Sequence, residues 1–185
     1  MAKEVLFIQG AGEGAYNADK KLVDSLRQGL GSQYDVRYPM MPDDGDAPYE
    51  QWKQRIETEL ATMAAPVILV GHSVGASILA KCLAEGAPDK PVAGIFLISA
   101  PFWGADGWRY EGYQTLELPD DFAAKLPQGA LVFLYHSHDD EIAPFSHLAL
   151  YARLLSKANV REVASGGHQL NNDLTLVATD IRGLA

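Results

Sequence analysis

The sequence predicts an α/β fold, a three-layer sandwich in which helices cover both faces of a six-stranded parallel sheet. Two observations carry this prediction. Apolar runs rich in β-branched residues alternate with segments of helical periodicity along nearly the whole chain. In addition, the apolar run at 66–70 leads through the glycine-flanked sequence GHSVG directly into a helical pattern, as a buried strand turning into a helix would. Sites in such sheets lie at the carboxyl ends of the strands, so functional residues are expected there.

The first half of the chain contains three predicted strands, each followed by a helix. Apolar residues at helical spacing identify the helices, as Trp52, Ile56 and Leu60 do for the second one. The glycine-rich stretch at 10–14 and the Pro, Gly and Asp content of 40–48 predict loops. In order, the predicted elements are strand 4–9, a helix capped by Asn17 and weakened at its end by Gly29 and Gly31, strand 34–38, helix 49–64, strand 66–70 and a helix that ends near Gly86.

The second half repeats the alternation, with one irregular segment at 101–128. This segment is rich in aromatic residues, glycine and proline, which favours loops over regular structure. In order, the predicted elements are a loop at 87–91, strand 92–100, a short helix near 121–126, strand 130–136, the turn 137–144, helix 144–156, strand 160–164, the turn 165–169 and a last helix from about Asn171.

Length and charge limit the class of protein. The chain has 185 residues, of which 48% are hydrophobic and 21% are charged, and this ordinary globular composition predicts one domain over 1–185. The formal net charge is −9, whereas nucleic acids and anionic membranes are bound by clustered Lys and Arg. We therefore expect a small-molecule substrate as the partner, with no nucleic acid and no membrane.

The single cysteine and the amino-terminal sequence predict the compartment. Cys82 has no partner for an intrachain disulfide, and its place on the apolar side of a helix indicates packing rather than catalysis. The sequence MAKEVLFIQG enters a strand directly, without the longer apolar region of a signal peptide, and no run reaches transmembrane length. These features predict a cytoplasmic protein.

Ser73 is the candidate nucleophile. It lies between Gly71 and Gly75 at the junction of a predicted strand and helix, where small neighbours permit a sharp turn that exposes the hydroxyl. Free N–H groups at the start of the helix favour the oxyanion of an acyl-transfer intermediate. The alternative is a tight turn in which Ser73 only caps the helix. The strand before it and the helix after it favour the nucleophile.

The strands after Ser73 end in residues that suit an acid and a base. Asp139 and Asp140 follow strand 130–136, and His168 follows the next strand, which gives the chain order Ser, Asp, His. An imidazole can accept a proton near neutral pH, so His168 would take the proton of Ser73 and return it to the leaving group. A carboxylate would hold the imidazole in the required tautomer. The residues by themselves leave Asp139 and Asp140 as alternatives.

The segments GHSVG, DDEIAP and GGH together resemble the α/β-hydrolase superfamily, and the short chain resembles its compact, capless serine hydrolases, those similar to retinoblastoma-binding protein 9. The resemblance implies an α/β-hydrolase fold without a cap domain, with strand order 2-1-3-4-5-6. In this superfamily the acid commonly stands four residues before a proline, which selects Asp140 through Pro144 and leaves Asp139 as a solvated turn residue.

The resemblance also implies an oxyanion hole. Its two donors would be the backbone N–H groups of Ala11 and Val74. Many relatives carry His-Gly after the first strand, whereas this chain has Gln9 and Gly10. Backbone donors do not depend on the side chain at position 9, so the expected donors are unchanged.

These residues predict a carboxylesterase-like serine hydrolase that cleaves a small ester, thioester or amide through an acyl-enzyme, without a cofactor. Gly10 and the aromatic side chains of Phe102, Trp103 and Trp108 are the expected substrate pocket, since the aromatic segment follows a strand end directly. The chain has no room for a large lid domain. A shallow, open site and short acyl chains are therefore expected.

Two other patterns indicate different functions and fit less well. The spacing of GAGEG misses the GxGxxG phosphate loop, and no acidic residue ends the second strand. His136, His138 and Asp140 match part of an HxHxDH metal motif, but Glu141 replaces its last histidine and the metal fold needs a β-sandwich. His72 occupies a variable position of the GHSVG turn, and its side chain is expected to pack locally. The runner-up is a binding protein that keeps the fold without turnover, which labelling of Ser73 by a fluorophosphonate would distinguish.

Overall fold

The computed structural model describes residues 2–86, 88–105 and 107–184. Six strands form one sheet in the order β2-β1-β3-β4-β5-β6, and every pairing is parallel. The predicted fold class and strand order are therefore confirmed. The strands are β1 Lys3–Ile8, β2 Tyr34–Arg37, β3 Val67–His72, β4 Val92–Ile98, β5 Leu131–Ser137 and β6 Asn159–Val163.

Helices pack on both faces of the sheet because successive strand side chains point to opposite sides. Leu6 and Ile8 of β1 belong to one core with α2, α3, α4 and α5, whereas Val5 and Phe7 belong to a second core with α1 and α6. Alternating residues of one strand thus fill two cores. The helices are α1 Ala15–Leu30, α2 Tyr49–Thr62, α3 Val74–Glu85, α4 Phe122–Lys125, α5 Ser146–Leu154 and α6 Thr175–Arg182.

The boundaries of α1 differ from the expectation. Asn17 lies inside the helix, because Gly14 in a left-handed conformation with φ 82° turns the chain and α1 begins at Ala15 without a side-chain cap. Gly29 does not interrupt the helix. A Cβ at Gly29 would lie 2.7 Å from the Cβ of Ala178 in α6, so this glycine permits the close approach of α1 and α6.

The carboxyl-terminal half differs in smaller ways. Helix α5 begins two residues later than predicted, and the last helix is preceded by a one-turn 3-10 helix at Leu170–Asn172. Between β4 and β5 the described residues form a 3-10 turn at Gln114–Leu116 and the short α4. The loop expected at 87–91 begins at Ala87, which lies outside the described residues.

Two further observations concern the ionisation of Cys82 and the length of the helices. Cys82 is buried, and burial raises the pKa of its thiol to about 12, so it packs as expected and does not ionise near neutral pH. In the described part of the chain, every helix is too short or too polar to cross a lipid bilayer.

Candidate active site

Ser73 occupies the sharp turn between β3 and α3. Its backbone has φ 53° and ψ −129°, a left-handed region that a residue with a side chain rarely adopts. Both flanking glycines are required by close approach. A Cβ at Gly71 would lie 2.6 Å from the Cα of Ala76, and a Cβ at Gly75 would collide with the carbonyl oxygen of Gln9. The five residues of GHSVG therefore fold as the sequence predicted, with the serine at the tip.

The structure places the side chains of Ser73, His168 and Asp140 in one hydrogen-bonded line. His168 Nε2 lies 2.8 Å from Ser73 Oγ, and His168 Nδ1 lies 3.0 and 2.9 Å from the two carboxylate oxygens of Asp140. The three residues follow β3, β6 and β5, which are neighbours or near neighbours in the sheet. An ionised Asp140 accepts the Nδ1 proton, so Nε2 is left bare to accept the hydroxyl of Ser73.

Asp140 is held ionised by its surroundings. Its carboxylate is fully buried, which by itself disfavours the charge. Hydrogen bonds from His136 and His168, together with the backbone N–H groups of Ile142 and Ala143, outweigh burial and hold the pKa of Asp140 well below its ordinary value. His136 is a partner that the sequence analysis did not anticipate; its Nε2 lies 3.1 Å from the Asp140 carboxylate.

Asp139 and Glu141 hold the turn that carries His168. The exposed carboxylate of Asp139 accepts the backbone N–H groups of Gly166 and Gly167, both at 2.9 Å. Glu141 accepts the backbone N–H of His168 at 3.1 Å. The expectation that Asp139 is only a solvated turn residue was wrong, because three consecutive acids bind three parts of one turn.

A second carboxylate–imidazole pair lies beneath the turn. His72 Nδ1 lies 2.9 Å from Asp19 in α1, and His72 Nε2 lies 3.1 Å from the carbonyl oxygen of His168. Asp19 was missed by sequence reasoning, and His72 does more than pack locally. A signal for Asp19 existed: it falls on the same helical face as Leu22, Val23 and Leu26, where a carboxylate is out of place unless it has a partner.

The loop after β1 approaches the serine closely. A Cβ at Gly10 would lie 3.2 Å from the Cβ of Ser73, and Gly10 donates its own N–H to Asp19 at 2.7 Å. The N–H groups of Ala11 and Val74, the two expected oxyanion donors, have no hydrogen-bond acceptor among the described residues. Both are therefore available to a bound group.

A cavity of about 170 Å³ opens beside Ser73 and His168. Gly10 and Ala11 line it, together with the rest of the glycine-rich loop and the first turn of α1. A larger groove of about 540 Å³ lies near the amino end of β5, away from the carboxyl ends where these residues meet, and it contains none of them.

The expected aromatic wall does not line this cavity, and that prediction is corrected. Phe102, Trp103 and Trp108 pack among other rings instead. Trp103 stacks on Tyr113 with ring centroids 4.7 Å apart, and Phe102 meets the edge of Tyr151 at 5.0 Å. Burying large apolar rings against each other and the core removes more apolar surface from water than a polar cleft would.

The histidines of the partial metal motif point to different places. His136 is buried, and its Nε2 lies 2.9 Å from the carbonyl oxygen of Ala143. His138 is exposed, stacks on Phe145 and lies 3.0 Å from Glu162. Across residues 2–86, 88–105 and 107–184, no three His, Cys, Asp or Glu side chains are grouped to hold a metal ion.

Known proteins resemble this chain in sequence pattern and in fold. The family model described as serine hydrolase matches residues 26–175. A comparison with curated protein sequences finds no significant match. The ydeN gene product of B. subtilis is similar in structure, with 22% identity, a TM-score of 0.79 and coverage of 99% of this chain and 98% of that chain.

Two further solved structures are similar at lower identity. A meta-cleavage product hydrolase, CumD, has 16% identity, a TM-score of 0.76 and coverage of 99% of this chain and 92% of that chain. The esterase domain of a Rhodothermus marinus protein has 17% identity, a TM-score of 0.68 and coverage of 98% of this chain and 85% of that chain. At these identities the likeness concerns the fold.

Proposed function

Because this chain belongs to the serine hydrolase family, we propose that it hydrolyses small carboxylic esters, with Ser73 as nucleophile, His168 as general base and Asp140 as the acid that orients it. The observation that carries this proposal is the unbroken line of hydrogen bonds from Asp140 through His168 to Ser73. The lowered pKa of Asp140 keeps its carboxylate ionised, so it can accept the Nδ1 proton of His168 as the role requires.

Acylation begins at the serine hydroxyl. Ser73 Oγ bonds to the carbonyl carbon of the ester as its proton passes to His168 Nε2, and the carbonyl electron pair moves onto the oxygen. The charge on the imidazolium is balanced by Asp140 at Nδ1. When the tetrahedral intermediate collapses, the bond to the alcohol breaks and the alcohol leaves with the proton from Nε2.

Deacylation repeats the same steps with water. His168 takes a proton from water, the oxygen bonds to the acyl carbon, and Ser73 leaves with that proton. The products are one carboxylic acid and one alcohol. No external oxidant, reductant or cofactor enters the balance.

The developing oxyanion is bound by backbone donors. The N–H of Ala11, in the loop after β1, and the N–H of Val74, the residue after Ser73, have no acceptor among the described residues and are free to donate. Donors of this kind contribute about 3–4 kcal/mol each to transition-state stabilisation. Neither donor needs a particular side chain.

The cavity supports a small acyl group. Its volume of about 170 Å³ is below the range of about 300–1,000 Å³ that is typical of drug-sized ligands. Acyl chains of a few carbons are therefore favoured over long ones. Thioesters and amides share the same chemical route, and a panel of each ranks the preference.

The proposal is tested with p-nitrophenyl acetate and butyrate. We expect Ser73→Ala to abolish turnover and labelling by a fluorophosphonate while the circular dichroism spectrum and melting temperature stay those of the wild type. The control is Ser32→Ala, the same serine-to-alanine change at an exposed position outside the site, and it is expected to leave the rate unchanged. Turnover that persists in Ser73→Ala would refute the proposal.

A further inference from the structure

The mechanism leaves one buried ionisable pair without a role. Asp19 and His72 are each only 1% exposed, and no step of acyl transfer uses them. They are joined at 2.9 Å, although 53 residues separate them in the chain. A buried ion pair is weak evidence for stability, because an apolar pair of similar volume often folds as well. Its contacts are therefore the guide to what it does.

The protons of the pair can be placed from which of its partners can only donate and which can only accept a hydrogen bond. The carbonyl oxygen of His168 can only accept, so His72 Nε2 carries a hydrogen. Asp19 accepts the N–H of Gly10 at 2.7 Å and the side-chain amide of Gln169 at 3.0 Å, which suits an ionised carboxylate. His72 Nδ1 then also donates, and the pair is an imidazolium bound to a carboxylate.

The directions of the pKa shifts agree with this assignment. Burial opposes charge on both groups. Their mutual attraction and hydrogen bond nevertheless raise the pKa of His72 and lower the pKa of Asp19. The backbone N–H of Gly10 and the carbonyl oxygen of His168 add to the stabilisation of the two charges.

The pair connects the oxyanion loop, the residue before Ser73 and the backbone of His168. Asp19 holds Gly10, the residue immediately before the oxyanion donor Ala11. His72 immediately precedes Ser73 and binds the backbone of His168, whose carbonyl also accepts the hydroxyl of Ser99 at 3.1 Å. A shift of the pair would therefore displace the oxyanion loop and the base relative to the nucleophile.

We propose that Asp19 and His72 form a positioning dyad that fixes the oxyanion loop and the backbone of His168 relative to Ser73. The inference rests on the proposed function. Neither side chain bonds to the reacting atoms, so both act through Gly10 and His168. Small displacements of catalytic groups cost up to about a hundredfold in rate, which sets the scale of the expected effect.

The test begins with Asp19→Asn, which keeps the shape and removes the charge. We expect kcat for p-nitrophenyl acetate to fall about 10- to 100-fold while KM changes by less than about threefold, because the lost interactions matter mainly in the transition state. The inhibition constant of a methyl trifluoromethyl ketone, which forms a tetrahedral adduct on the serine, should rise by the same factor as kcat/KM falls. A merely structural defect would not produce this parallel.

Two further variants complete the design. Asp24→Asn makes the same change on the exposed face of α1 and should leave both constants unchanged. His72→Gln keeps a donor for the His168 carbonyl without the charge, and it tests the dyad if Asp19→Asn fails to fold. In the double variant Asp19→Asn/His72→Gln, the loss of kcat should not exceed that of the more damaging single change. Either change alone already breaks the dyad, so the second removes nothing further.

The outcomes separate the two proposals. Wild-type protein that neither hydrolyses esters nor reacts with a fluorophosphonate would remove the proposed function and the dyad with it. An active wild type whose Asp19→Asn and His72→Gln variants keep kcat within twofold would remove the dyad alone. Losses that multiply in the double variant would also overturn it, because they would show two independent effects.

Discussion

At the scale of the residue, the three adjacent acids differ in what they bind. Asp140 bonds to the ring of His168, whereas Asp139 and Glu141 bond to backbone N–H groups of the turn that carries it. A carboxylate on the ring affects the tautomer and the charge of the base, and a carboxylate on the backbone affects only the position of the turn. Adjacent residues of the same type are therefore expected to contribute very different amounts to the rate.

Substitution of the two aspartates tests this difference. Asp140→Asn should lower kcat by about 10²–10⁴, because the amide no longer enforces the tautomer with a bare Nε2. Asp139→Asn is the matched control. Its side-chain oxygen can still accept the N–H groups of Gly166 and Gly167, so we expect a loss of less than about tenfold. Steady-state kinetics that rank the two variants in the opposite order would reverse the assignment of the acid.

At the scale of the element, packing between α1 and α6 decides where a glycine is needed. Gly29 reads as a weak point of α1 when helix propensity alone is considered. The structure shows the helix continuing to Leu30, with α6 packed against it where a side chain is missing. Tertiary contact here outweighs the local preference.

Gly29→Ala measures that contact. The new Cβ would lie 2.7 Å from the Cβ of Ala178, and overpacking of this kind costs about 1–3 kcal/mol. Alanine recovers about 1 kcal/mol of helix propensity, so the expected net effect is a lower free energy of unfolding in urea. The compensating double variant Gly29→Ala/Ala178→Gly should restore most of the stability. A single variant more stable than the wild type would show that α6 moves aside without cost.

At the scale of the whole molecule, the folded and unfolded chains differ in the pH at which their carboxylates bind protons. Several carboxylates have lowered pKa values in the folded protein despite partial or full burial, among them Asp19, Asp140 and Glu85. For Glu85, burial is outweighed by hydrogen bonds from Lys53, Tyr49 and Lys81, which bring its pKa to about 2. The unfolded chain therefore binds protons at a higher pH than the folded chain does.

This difference predicts the response to acid. A carboxylate with a lowered folded-state pKa stabilises the fold above its ordinary pKa, 3.8 for Asp and 4.5 for Glu, and loses that contribution as the pH falls. We expect the urea midpoint to change little from pH 7 to about 5 and to fall steadily from about 5 to about 2. Glu85→Gln should flatten part of that slope. A midpoint that rises as the pH falls from about 5 to about 2 would contradict the assignment of the lowered carboxylate pKa values.

Much of this protein follows from its sequence alone. The alternation of apolar runs and helical patterns determined the fold class, and the glycines of GHSVG determined the turn at Ser73, because both depend on backbone geometry within a few residues. The parallel topology then implied that Ser73, Asp140 and His168 would lie close together, since strand ends meet at one edge of the sheet.

Only the tertiary structure decided the rest. Whether Asp19 meets His72, whether Asp139 binds the turn before His168, and whether Trp103 faces the cleft or the core depend on how helices and loops settle on the sheet. These contacts join residues far apart in the chain and are selected by packing and by the need to satisfy buried polar groups. No local pattern encodes them, because the partner of each group is set by the fold as a whole.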